Sequence, residues 1–164
     1  MLACLLCLPR VHAAEPPIEY QVKAAFLLNF TRFVDWPPTE NGDATVSICV
    51  LGDDPFGETL DQVVAGESRQ GHKLAVRRIR RPVPPSCQVL YVSRTERDLP
   101  ALFASLPSGV LTVGEGESFL RDGGMIAFVI ENRRVRFDVN QATAMKAGLR
   151  ISSRLLNVAR SVQK

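Results

Sequence analysis

Apolar positions along the chain follow two spacings, and their alternation outlines a fold. Between residues 19 and 36, Val22, Ala25, Phe26, Phe30 and Phe33 recur three and four apart, and Leu27, Leu28 and Val34 widen the face. That spacing predicts a long, well-buried helix ended by Pro37-Pro38, with Asn41-Gly42-Asp43 as the loop that follows. Residues 46–51 form a continuous apolar run rich in β-branched side chains, as in a strand covered on both faces. Gly52-Asp53-Asp54-Pro55 then opens a helix through residue 64, with Asp54 as its N-cap and Pro55 preset for its first turn.

The pattern repeats downstream. Residues 73–80 read as a second strand, Pro82-Val83-Pro84-Pro85 as a rigid connector, and 88–93 as a third strand. A helix at 98–106 closes at Pro107-Ser108-Gly109, and a short strand follows at 110–113. Gly114-Glu115-Gly116 leads into a helical turn at 118–121. Strands at 125–130 and 134–139, joined by Glu131-Asn132-Arg133, make an antiparallel hairpin. A helical segment at 142–147 ends at Gly148, and Ser152 or Ser153 caps a final helix bearing Leu155, Leu156, Val158 and Ala159. The layout predicts an α/β three-layer sandwich: a mostly parallel sheet of about six strands, an antiparallel C-terminal hairpin, and helices on both faces.

The first residues set the compartment. Met1 to Leu8 is almost wholly apolar, and Val11-His12-Ala13-Ala14 has the small-residue look of a signal peptidase site. The run is far shorter than the roughly twenty apolar residues a membrane span needs. Residues 1–13 are therefore expected to be a signal peptide cleaved near Ala13/Ala14, with 14–164 exported as one soluble domain. No Lys or Arg precedes the apolar stretch, so the true start is expected upstream of Met1. Cys4 and Cys7 raise a lipoprotein as the rival, but Cys4 lies too near the start and Leu6 is too bulky before a lipidated Cys7.

Cleavage leaves Cys49 and Cys87 of the four cysteines. An even pair in an oxidising compartment points to a disulfide, worth about 4 kcal/mol in the chain-entropy model; two separate buried thiols are the alternative. The bond requires the first and third strands to be neighbours, as in a flavodoxin-like order. Without Arg10 the balance is 19 basic against 17 acidic side chains, which argues against a nucleic-acid partner. The one basic cluster, His72, Lys73, Arg77, Arg78, Arg80 and Arg81, fits an edge strand protected by charge, or a dock for an acidic partner or anionic lipid.

Catalytic chemistry is thinly supplied. His72 is the one histidine left after cleavage, with no ligand cluster at metal spacing around it, so neither a triad nor a zinc site is expected. Asp53-Asp54 ends the first strand, where open α/β sheets hold ligands, but capping accounts for the pair. Gly52 and Gly57 lack the Gly-Lys-Ser/Thr ending of a phosphate loop. Asn29 needs a hydrogen-bond partner if buried, and Trp36 is either a core edge or an exposed contact. A small-ligand pocket, if present, is expected near Asp53, Phe56, Ser93 and Gly114. No cofactor or metal is expected.

A set of ordered motifs resembles one family. Val22-Lys23-Ala24-Ala25-Phe26-Leu27-Leu28-Asn29-Phe30 with Phe33 and Trp36-Pro37 is similar to the opening helix of the YfiR family of exported regulators. Cys49 through Gly57, Cys87 through Ser93, Gly123-Gly124-Met125-Ile126, Arg136-Phe137, Asn140 and Gly148 through Leu156 continue the likeness along nearly the whole mature chain. The resemblance implies a periplasmic, non-enzymatic repressor, expected to be a homodimer, that binds the periplasmic sensor region of an inner-membrane diguanylate cyclase. It would thereby lower cyclic di-GMP and biofilm formation. An outer-membrane lipoprotein would draw the repressor away. The better-known members' second, C-terminal disulfide is absent, since no cysteine follows Cys87. The alternative is a periplasmic small-ligand sensor or binding module serving another membrane protein.

Overall fold

The β-branched run at Thr45–Leu51 (β2) becomes the centre of the sheet, buried at every position but the first. A computed structural model describes residues 14, 16–38 and 45–164; the signal segment and the 41–43 loop lie outside the described residues. The chain order is α1 (Ile18–Phe33), β1 (Val34–Asp35), β2, α2 (Glu58–Val64), β3 (Ser68–Arg69), β4 (His72–Ile79), β5 (Cys87–Val92), α3 (Leu99–Ala104) and β6 (Leu111–Glu115). Then come α4 (Glu117–Arg121), β7 (Ile126–Glu131), β8 (Arg134–Asn140), α5 (Gln141–Lys146), β9 (Arg150–Ile151), α6 (Ser153–Val158) and β10 (Ser161–Gln163).

The main sheet runs β10-β8-β7-β6-β5-β2-β4-β3. Its interior ladders are parallel, β7–β8 is the antiparallel hairpin, and helices cover both faces. The flavodoxin-like order that the expected disulfide requires is present, with β2 between β4 and β5. Eight strands replace the expected six, because two short edge pieces carry no apolar spacing of their own. Ser68–Arg69 folds back antiparallel on β4, and Ser161–Gln163 adds parallel to β8. Side-chain ties explain the second: Arg160 donates to Asp138 at 2.8 and 2.5 Å and to Glu117 at 2.8 Å. A separate ladder pairs Val34 with Ile151 and Asp35 with Arg150, so α1 ends earlier than its apolar spacing indicated.

The core lies in two layers. One packs α1, α2, α5 and α6 on the sheet through Leu27, Phe30, Phe56, Leu60, Val89, Phe128 and Phe137. Phe30 stacks on Phe128 at 5.9 Å and meets Phe137 edge-on at 5.3 Å. The other, smaller layer packs α3 and α4 on Leu51, Leu90, Ala127 and the Cys49–Cys87 pair. The face of α1 differs from the expected one. Val22 and Ala25 point to solvent, while Lys23, Ala24, Leu27, Leu28, Phe30 and Thr31 are buried. A helix apolar nearly all round leaves its orientation to its polar residues, and here a buried lysine fixes it.

Candidate functional site

The carboxyl ends of β2, β5 and β6 carry the residues of interest, as parallel-sheet topology places them. Asp53 is exposed, and its N–H donates to Thr95 Oγ1 at 3.3 Å. It lines a cleft of about 740 Å³ with Gly52, Arg78, Arg80, Arg81 and Glu96. Asp54 does not cap α2, which starts three residues after Pro55 behind Gly57 at φ 54°. Its Oδ1 instead accepts the Phe56 N–H at 2.8 Å, closing a local turn, and its Oδ2 accepts Arg78 Nε at 2.9 Å. Short-range bonding of this kind competes with a helix start, and the positive φ at Gly57 decides the outcome.

The four sequence candidates for a pocket do not share one site. Ser93 is buried, its Oγ 3.1 Å from Thr95 Oγ1, and it lines a second cleft of about 330 Å³ with Arg94, Glu115 and Ser118. Phe56 lies wholly in the core, edge-on to Tyr91 at 4.8 Å. Gly114 is a slot for a ring: a Cβ there would sit 2.3 Å from Phe119 ring atoms, and one on Gly124 would sit 2.2 Å from the opposite edge. Trp36 is a core edge, its Nε1 donating to Gln88 O at 3.2 Å with the Arg69 guanidinium 5.0 Å from its ring. Asn29 is half-buried, and His72 is half-buried in β4.

A cluster that the sequence reading missed lies beneath these clefts. Lys23, 1% exposed, places Nζ 3.1 Å from Glu115 Oε1 and also pairs with Glu19 one turn earlier. The Tyr91 hydroxyl donates to the same Oε1 at 2.5 Å, and Arg94 Nε stands 2.6 Å from Oε2. The Lys23 ammonium also lies 4.4 Å from the Tyr20 ring centroid, a contact that stabilises a desolvated cation. Burial alone raises the Glu115 carboxyl; the Tyr91 hydroxyl, Lys23 and Arg94 outweigh it and hold the group below the usual carboxylate range. Burial, and then the hydrogen bond to Glu115, push the Tyr91 phenol far up. Glu115 Oε2 accepts no hydrogen bond although the Arg94 guanidinium lies beside it; a carboxylate held ionised by neighbouring cations is a weak base, and such a phenol is a weak nucleophile. The cluster therefore locks α1 to the sheet and does not assemble a proton-transfer pair. Two local signals mark it: a lysine four residues after Glu19 within an apolar helix, and a carboxylate between two glycines at a strand end.

The two cysteines are bonded, with Cα atoms 5.8 Å apart. A bulge between Ser47 and Ile48 supplies the offset that a mid-strand and a strand-start cysteine need: Ser47 faces Cys87, and Cys49 faces Leu90. Among the described residues, no group of three or more His, Cys, Asp or Glu is placed to hold a metal ion. No described helix is long and apolar enough to cross a membrane.

Fold and site together define a doubly wound α/β sandwich with a Cys49–Cys87 disulfide and a buried ionic lock. The chain belongs to the YfiR/HmsC-like family, whose model matches residues 20–160. Members of this family act as periplasmic regulators in cyclic di-GMP signalling. Comparison with curated proteins gave no match. Among solved structures, a conserved domain protein from Vibrio cholerae is similar with a TM-score of 0.61 at 12% identity, over 90% of this chain and 60% of its own. An ABC domain from Streptococcus pneumonia, solved in complex with L-Trp, is similar with a TM-score of 0.51 at 12% identity, over 88% of this chain and 60% of its own. The chain thus spans about 60% of the length of these structures, and the likeness is one of fold.

Proposed function

We propose that this protein is an exported regulator that binds the periplasmic sensor region of an inner-membrane diguanylate cyclase and holds it inactive, lowering cyclic di-GMP and biofilm formation. The family match over residues 20–160 carries this reading. The Cys49–Cys87 bond is in keeping with an oxidising compartment. Repression follows if the regulator binds the inactive cyclase more tightly than the active one, since a ligand shifts an equilibrium only by its differential affinity. An outer-membrane lipoprotein that competes for the regulator would restore cyclase activity, and the regulator would act as a homodimer. The mechanism requires no catalysis by this chain.

A pull-down of the mature protein from solubilised inner membranes tests the reading. Capture of a diguanylate cyclase, and higher cyclic di-GMP in cells lacking the regulator, is the expected result. Capture of no cyclase together with unchanged cyclic di-GMP overturns it. The clefts at the strand ends support a second reading, a small-ligand sensor serving another membrane protein. Thermal shift against periplasmic metabolites checks it, and no stabilisation by any compound counts against it.

A further inference from the structure

The outer edge of β4 is the most distinctive surface of the molecule. The chain carries no acidic residue between Glu67 and Glu96, yet that stretch holds Arg69, Lys73, Arg77, Arg78, Arg80, Arg81 and Arg94. Most of these cations lie in or just after β4, the last long strand on its side of the sheet. Among the described residues its only outer neighbour is the two-residue β3, which pairs with His72 and Lys73. The Leu74 N–H also points outward, donating to Glu67 O at 3.0 Å.

Backbone direction alternates along a strand, so if Leu74 faces outward, so do Val76, Arg78 and Arg80, while Ala75, Arg77 and Ile79 face β2. Among the described residues, no backbone partner meets the outward N–H and C=O groups of Val76, Arg78 and Arg80. Arg78 is tied to Asp54 and Asp61, and Arg81 to Glu96. Among the described residues, Arg77 bonds only the Ser86 hydroxyl, and neither it nor Arg80 has a carboxylate within ion-pair distance.

An open edge flanked by uncompensated guanidinium groups repels a second copy of itself and selects a guest of opposite charge. We propose that this edge is the partner-docking surface, and that its occupant is an extended acidic segment of another protein, added to the sheet as a further strand along Val76–Arg80. Backbone pairing would supply affinity, and Arg77 and Arg80 would supply charge selection. The inference rests on the reading that the chain works by binding a protein, and it specifies the face and chemistry of that contact.

The test uses the mature, oxidised protein and a fluorescent peptide of about ten residues repeating Glu-Val, with a Lys-Val counterpart as control. Two variants are compared. Val76→Pro removes an outward N–H while leaving the ladder to β2 intact, and the double variant Arg77→Glu/Arg80→Glu leaves the backbone unchanged. The expected result is saturable binding of the acidic peptide, with the basic peptide and both folded variants at least about tenfold weaker; Val76→Pro lowers the melting temperature because Val76 packs on the core, whereas the arginine double variant leaves it unchanged. Hydrogen exchange on the wild type should show new protection of the Val76 and Arg78 amides, a readout that needs no variant to fold. Absence of binding, equal binding by the basic peptide, unaltered binding by the folded variants, or binding without amide protection would each overturn the proposal. Equal competition by phosphatidylglycerol vesicles for the same arginines would overturn it in favour of a lipid surface. In the membrane pull-down, cyclase capture undiminished in both variants sinks the edge and spares the regulatory reading. Peptide addition without any cyclase capture does the reverse.

Discussion

The two faces of the sheet are held by different means. On one, the sixteen-residue α1 lays a mainly apolar face, broken by the buried Lys23 and Thr31, across β5 to β8, and its aromatic rings interlock with Phe128 and Phe137. On the other, α3 and α4 span six and five residues, and the Cys49–Cys87 bond lies directly in the layer they cover. Short helices bury little surface, so a covalent tie between neighbouring strands contributes most where packing is thinnest. Each face also buries charge, but differently: the thick one holds the Lys23–Glu115 pair against the cost of desolvation, while on the thin one the buried Asp138 is held by the partly exposed Arg160.

Breaking this contrast should hurt most on the packed face. Phe30→Ala is expected to cost about 3–5 kcal/mol, measured as a loss of midpoint in urea unfolding. Reduction, or the double variant Cys49→Ala/Cys87→Ala, should cost about 2–4 kcal/mol by thermal melting. Hydrogen exchange after reduction should quicken in α3 and α4 before α1; the reverse order would contradict the division of labour between the faces.

Glu115→Gln should cost about 2 kcal/mol at neutral pH, since the buried Lys23 then keeps the partly exposed Glu19 as its charged partner but loses the buried one. Its pH signature is distinct. The folded carboxyl titrates below its unfolded value, so its contribution is fully present above the unfolded value and is lost as pH falls through the folded one. The melting temperature of the wild type should therefore fall more steeply on acidification than that of Glu115→Gln. Gly114→Ala comes last at about 1–2 kcal/mol, from Phe119 forced out of its slot. Pairing it with a smaller residue at Phe119 should recover part of the loss.

The sequence disclosed much of this frame, and the failures have local causes. Continuous apolar runs at β2 and β5 pointed to the parallel sheet, because burial on both faces leaves such runs little else to do, while the adjacency of the two strands followed from the expected disulfide. The bulge at Ser47/Ile48 that brings the sulfurs together had no sequence mark. The turn at residues 53–57 was misread because aspartate followed by proline looks alike at a helix start and in a local turn. Phe56 and Gly114 were chosen for their place at the strand ends, a rule that says where a site forms but not which side chains turn inward. Lys23 and Glu115 are 92 positions apart in number and meet only through the tertiary fold, so no spacing rule could pair them.

The opposite flanks of the sheet differ in how they avoid self-templating. β10 is three residues long, too brief to seed another chain, while β4 relies on like-charge repulsion. The sheet is thus kept from growing into ribbons by brevity at one end and by cations at the other. Neutralising those cations, by sequence change or by bound polyanion, would leave a long unsaturated strand as a seed for aggregation.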